Sequence, residues 1–256
     1  MKGRTTQSPS NIVTHSENQR AVVPYNLIKH HKDITLCGDV MYIDKMPFLI
    51  TVARKVKMLT AEWLPNMKTN MLLKSLKKCV PLYGRSGFKI RRMLLDGQFE
   101  SLRAPLAEMG IQLNMCTANE HVPEAERAIR TIKERLRATI NQFRIKHYPA
   151  RVIIELVYNT IYWMNLAPSP DGISDTLGPS TIITGHVPDY NTHCSLEFGQ
   201  YCQVYTSINN TMTARTVGAL ALRPTGNTQG GYIFIIWKLD ARSLQTNGRH
   251  YPCQTM

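Results

Sequence analysis

Three strand-like apolar runs lie close together near the start of the chain, at residues 34–43, 48–54 and 58–64. The breaks between them, Lys45-Met46-Pro47 and Lys55-Val56-Lys57, are short enough to predict consecutive hairpins. Pro65-Asn66 stops this pattern, and the apolar positions then recur at helical steps (Met71 or Leu72, Leu73, Leu76, Cys79 or Val80, and Tyr83). Lys68, Lys74, Lys77 and Lys78 fall mostly outward, so an amphipathic helix is expected. Gly84 to Gly87 ends it. Residues 88–95 read as a fourth strand, and a short helix follows through Leu102, Leu106 and Met109, restarted at Pro105. Residues 111–115 read as a fifth strand. Pro123 then sits where a first helical turn costs it nothing, and Ala125, Ile129, Ile132, Leu136 and Ile140 form one buried helix face.

The order is three meandering strands, then helix, strand, helix, strand, helix. Right-handed crossovers set the fourth strand beside the first, giving a mixed sheet of order 3-2-1-4-5 with helices on both faces. That arrangement is the ribonuclease H-like fold. Residues 1–33 are polar with little periodicity and read as an arm or linker. After Pro149, residues 150–165 are apolar almost all round, which predicts a buried core helix ahead of a subunit interface. Turn residues recur from Ala167 to Gly185. Short strands are expected at 200–205, 216–222 and 231–238. The expected organisation is therefore an arm (1–33), a core (34–186) and a small β-rich C-terminal module (187–256).

A formal net charge of +13 favours a polyanionic partner. No uninterrupted apolar run is long enough to span a bilayer, and the N-terminus lacks the apolar stretch of a signal peptide. Nucleic acid is the better partner, and no membrane is expected. The six cysteines are scattered without a Cys-x-x-Cys pair. They argue against a disulfide scaffold and a Cys-rich zinc site, and fit a reducing compartment, nucleus or cytoplasm. His30-His31 with Cys37 is a poor zinc set, and the sequon Asn209-Asn210-Thr211 means little without a secretory signal.

The acidic residues fall at telling places. Asp39 lies on the first strand, Asp96 ends the fourth, and Glu126 opens the long helix. In the expected strand order these three converge. Divalent ions such as Mg²⁺ take carboxylates with water and phosphate oxygens, and two of them can clamp an in-line displacement at phosphorus. Arg130, Lys133 and Arg137 follow Glu126 on nearly its own helix face, where neighbouring phosphates would pass. The plain alternative is a solvated helix whose cations pair with Glu126 and Glu134. Two acids compete for roles. Asp44 lies five residues past Asp39, on the opposite strand face, and Glu124 is turned about 200° from Glu126. Asp39 and Glu126 are favoured.

The residues around these acids carry a resemblance. Asp39-Val40-Met41-Tyr42-Ile43 with Pro47-Phe48-Leu49-Ile50-Thr51-Val52, then Leu95-Asp96-Gly97-Gln98-Phe99-Glu100, then Glu126-Arg127 with the basic helix behind it, resemble the integrase core of copia-type retrotransposon Pol polyproteins. Phe198-Gly199-Gln200-Tyr201 and Arg215-Thr216-Val217-Gly218-Ala219 resemble the region after that core. The resemblance implies a polynucleotidyl transferase with endonuclease activity. It would carry out DNA integration, processing element 3′ ends and transferring them into target DNA. It further implies Mg²⁺ or Mn²⁺ held by Asp39, Asp96 and Glu126, and a homo-oligomer able to handle two DNA ends. Readings without strand transfer are an inactive nucleic-acid-binding remnant and a ribonuclease H-like nuclease. The chain departs from the family in a shorter interval from Asp96 to Glu126, in Pro123-Glu124 where Asn-Gly is usual, and in lacking the N-terminal His/Cys zinc module. Tyr42-Ile43-Asp44 lacks the adjacent second Asp of a reverse transcriptase. These features fit a fragment or a decayed copy.

Overall fold

In the computed structural model, which describes residues 20–115, 123–143, 148–205, 212, 214–227 and 230–236, the first apolar runs form a meander. β1 (Asp33–Ile43) pairs antiparallel with β2 (Met46–Ala53), and β2 with β3 (Leu59–Trp63). The first hairpin turns on Asp44 and Lys45 alone, with φ of 46° and 65°. Positive φ at both central residues is what a tight two-residue connection requires. Met46 and Pro47, expected in the break, therefore already pair with Ile43 and Tyr42.

The chain continues through α2 (Thr69–Gly84), β4 (Lys89–Leu95), a 3-10 turn (Gly97–Leu102) running into α3 (Arg103–Glu108), β5 (Gln112–Met115), α4 (Pro123–Gln142) and α5 (Ala150–Leu166). β4 lies parallel beside β1, and β5 parallel beside β4, so the five strands are ordered β3-β2-β1-β4-β5. This is the ribonuclease H-like arrangement expected from the apolar pattern. Alternation along β1 divides the interior in two. Ile34 and Leu36 face α2 and α3, packing with Leu72, Leu76 and Leu106. Met41 faces the other side, with Ile132 and Leu136 of α4 and Ile154, Val157 and Ile161 of α5. Each such apolar side chain contributes about 1.5–3 kcal/mol when fully buried.

The outer edge of the sheet is closed by α5. Asn165 donates to the Leu59 carbonyl at 2.8 Å and accepts from the Leu59 N–H at 2.9 Å, so an amide side chain takes the place of a neighbouring strand. The Tyr158 hydroxyl accepts from the Trp63 N–H at 3.1 Å. Both contacts blunt an edge that could otherwise pair with another chain.

Three short helices differ from the sequence expectation. α1 (Tyr25–His31) lies within the segment read as an arm; Leu27 and Ile28 pack on the first core, and Ala21 N–H donates to the Gly185 carbonyl at 2.9 Å. α6 (Pro179–Thr184) occupies the stretch that reads as turns, and α7 (Tyr190–His193) lies beyond it, where the apolar pattern marks no element. Helices this short complete too few turns to show a 3.6-residue period, although Pro179 and left-handed Gly185 (φ 71°) mark the ends of α6.

A second sheet of order β6-β7-β8 is built from β6 (Tyr201–Tyr205), β7 (Thr216–Pro224) and β8 (Tyr232–Ile236). It is tied to α5 through Glu155, a fully buried carboxylate held 2.6 Å from Arg151 and 2.6 Å from Arg223 of β7. The Arg223 guanidinium also lies 5.4 Å over the Tyr158 ring. α5 is thus a core helix, packed on α4, β3 and β7. Residues 1–19, the approach to α4 at 116–122, the sequon at 209–211 and the chain from 237 onward lie outside the described residues.

Candidate active site

One small packing contact positions all three carboxylates. Cys37 of β1 and Ala125 of α4 are fully buried against each other, with Leu94 of β4 packed beside them. Side chains two apart on a strand share a face, so Asp39 follows Cys37, and Asp96 follows Leu94, toward the same end of the same face. Cys37 and Leu94 are the last register partners of β1 and β4, so Asp39 and Asp96 each lie two residues beyond the end of that ladder. Ala125 immediately precedes Glu126. Asp39 and Glu126 line a common groove of about 250 Å³, together with Ile129, Arg130, Lys133 and Arg137. Asp96 does not line that groove; its carboxylate accepts from the Gly97 N–H at 2.6 Å and caps the 3-10 turn. Asp39 accepts from the Val40 N–H at 2.6 Å.

The start of α4 is held from a second side. Glu124 accepts from Arg54 Nε at 2.7 Å, and the Arg54 N–H donates to the Thr35 carbonyl of β1 at 2.9 Å. Burial pushes the Glu124 carboxyl up, but its own backbone N–H, Arg54 and nearby Lys57 outweigh that and hold it below the usual carboxylate range. Glu124 is therefore committed to the β2–β3 turn, while Glu126 faces the groove. Asp44, the other competing acid, sits exposed in the β1–β2 turn.

The cations behave differently from the solvated-helix expectation. Among the described residues, no ion pair or hydrogen bond engages the side chains of Arg130, Lys133 or Arg137. Pairing with Glu126 or Glu134 is absent there. The helix face intended to be buried is also slightly offset. Ala125, Ile132 and Leu136 are buried, whereas Ile129 is half-buried and borders the groove.

Carboxylate oxygens suit Mg²⁺ or Mn²⁺ in kind. In placement, two of the three carboxylates share the groove, and the third stands just past the end of β4 as the cap of the 3-10 turn. Among the described residues no three His, Cys, Asp or Glu side chains stand close enough together to hold a metal ion. As placed the set is incomplete, because Asp96 is held as the cap of the 3-10 turn, a contact of a kind worth about 0.5–2 kcal/mol.

Sequence reasoning missed the Arg54–Glu124 pair and the Cys37–Leu94–Ala125 contact beneath the acids. The signal for the second was present: Cys37 and Leu94 each precede an acid by two residues. No such signal exists for a pair 70 residues apart.

No protein-family model matches the chain, and no curated protein matches it. Among solved structures, the catalytic core domain of BIV integrase is similar, with a TM-score of 0.44 and 14% sequence identity over 58% of this chain and 92% of that chain. Among the described residues no helix is long and apolar enough to cross a membrane.

Proposed function

We propose that this chain is a polynucleotidyl transferase of integrase type, which processes DNA 3′ ends and joins them to target DNA inside the cell, in nucleus or cytoplasm. The observation that carries the reading is the single groove in which Asp39 and Glu126 face Arg130, Lys133 and Arg137, with none of those cations neutralised by the described residues. Anionic and cationic side chains side by side suit a substrate that is itself phosphate flanked by metal-binding oxygens. The copia-like blocks around Asp39, Asp96 and Glu126 support a retrotransposon origin.

In this reading Asp39, Glu126 and a rotated Asp96 would hold Mg²⁺ or Mn²⁺. When bound, the ion supplies Lewis-acid activation of the attacking oxygen and charge stabilisation at phosphorus. The protein's own part is positional. Arg130 fixes the phosphate next to the reacting one, and Lys133 and Arg137 fix those beyond it, so that the scissile phosphodiester is held over the carboxylates. The Arg54–Glu124 pair and the Ala125 contact keep the first turn of α4 from shifting, and with it Glu126. Handling two DNA ends would call for a homo-oligomer.

A second reading is a non-catalytic DNA-binding remnant, favoured by one observation: Asp96 is occupied as a cap and the three acids do not already form a cluster. Incubating the protein with element-end oligonucleotides and Mg²⁺ or Mn²⁺ distinguishes the readings. Joined products support the transferase. Cleavage without joining supports a ribonuclease H-like nuclease, and binding without either supports the remnant.

A further inference from the structure

A second charged cleft opens on the sheet face that carries Asp39 and Asp96. The register between β1 and β4 slips between Ile34 and Thr35: Ile34 pairs with Ile90, but Thr35 pairs with Arg92. Arg91 is the extra residue. Ile90 and Met93 both point into the first core, so the two consecutive arginines between them are left on the outer side of the strand. Such bulges re-aim side chains, and here one doubles the guanidinium groups on a single stretch of sheet. Both arginines line a cleft of about 560 Å³ with Asp33, Ile34 and Thr35.

The two are not equivalent. Arg91 Nε lies 3.1 Å from Asp33, an exposed pair. Arg92 is exposed and makes no ion pair or hydrogen bond among the described residues. Its register partner on the far side is Gln112 of β5, an exposed amide. A free guanidinium flanked by Thr35 and an amide is a donor-rich surface that matches the tetrahedral oxygens of a phosphate.

We propose that this cleft is a phosphodiester-binding subsite, with Arg92 as its anchor, for the DNA strand whose reacting end lies at Asp39 and Glu126. This rests on the transferase reading of the groove. Arg92 precedes Asp96 by four residues of extended chain, about 13 Å at 3.3 Å per residue. That is about four steps of a duplex at 3.4 Å per step. The cleft would grip the backbone a few nucleotides from the chemistry, on the β4 side, while the α4 row grips it on the other. Nucleic acid is favoured over a free anion because the cleft is open and lies on the same face as the groove.

The test is binding of a fluorescent 30-base-pair duplex to the full chain across a salt series. Arg92→Ala should weaken binding and reduce the slope of log K against log salt by about one, and Arg92→Lys should restore most of that slope. The loss should add to that of Arg130→Ala, because different phosphates are held. Inorganic phosphate and a nucleoside monophosphate, titrated against the wild type, form the second arm. A slope unchanged in Arg92→Ala, while the Arg130→Ala slope falls, overturns the subsite and leaves the groove reading standing. Saturable phosphate binding lost in Arg92→Ala, with duplex affinity unchanged, also overturns it and makes the cleft a small-anion site. A wild-type chain that binds no duplex overturns both.

Discussion

At the scale of single residues, the side chains that matter most replace backbone partners. Asn165 is buried and offers one donor and one acceptor to one residue, Leu59, whose N–H and C=O face away from β2. Truncation at Asn165 would leave both groups unpaired in a place that water reaches poorly, since Leu59 is itself buried. An unsatisfied buried group of this kind costs about 1–3 kcal/mol. Asn165→Ala should therefore lose about that much in urea denaturation, with an unchanged m-value. Asn165→Asp should be worse than its shape implies, because its carboxylate can accept from the Leu59 N–H but faces the Leu59 carbonyl with no proton to give. If both variants unfold at the wild-type urea midpoint, the amide is not what closes this edge.

At the scale of elements, most strands and helices were readable, whereas the short helices α1, α6 and α7 and the non-local contacts were not. Five strands and the helices α2, α4 and α5 follow from the spacing of apolar residues, because tertiary packing uses the same faces the pattern marks. The Asp44-Lys45 turn was misplaced by one or two residues, since neither is a glycine or asparagine that would announce positive φ. The slip at Arg91 is one residue long and carries no glycine, so no local pattern exposes it. For the site, Asp39, Asp96 and Glu126 could be brought to one end of the sheet by strand order alone, whereas the cap that holds Asp96 aside depends on side-chain rotation. α4 carries the testable consequence. Each of Arg130, Lys133 and Arg137 that neutralises a phosphate releases counterion, so the triple Ala variant should bind duplex DNA more weakly at every sequence and lose about three units of salt slope. An unchanged slope would move the DNA surface elsewhere, most directly to α2, where Lys74 and Lys77 also lack ion pairs among the described residues.

At the scale of the whole molecule, a chain of net charge +13 nevertheless gathers acids at one end of its main sheet. Asp39 and Glu126 line one groove, and a rotated Asp96 would bring a third carboxylate toward it. A divalent cation that neutralises them binds the folded chain and not the unfolded one, so it must raise stability. At a hundredfold excess over Kd the gain is about 2.7 kcal/mol. For a chain of this size that is a rise in Tm on the order of 5–10 °C. Asp96→Asn separates the ligand role from the structural one. Asparagine caps a helical turn about as well as aspartate, so the contact with the Gly97 N–H should survive and the metal-free Tm should stay near that of the wild type. The variant should nonetheless lose most of the Mg²⁺-dependent rise in Tm and all strand transfer, while its DNA affinity in metal-free buffer stays the same. Thermal melts with and without Mg²⁺ read the first two quantities before any assay of joining is attempted. A full Mg²⁺-dependent rise in Asp96→Asn would mean that Asp96 remains a cap and that Asp39 and Glu126 bind the ion without it.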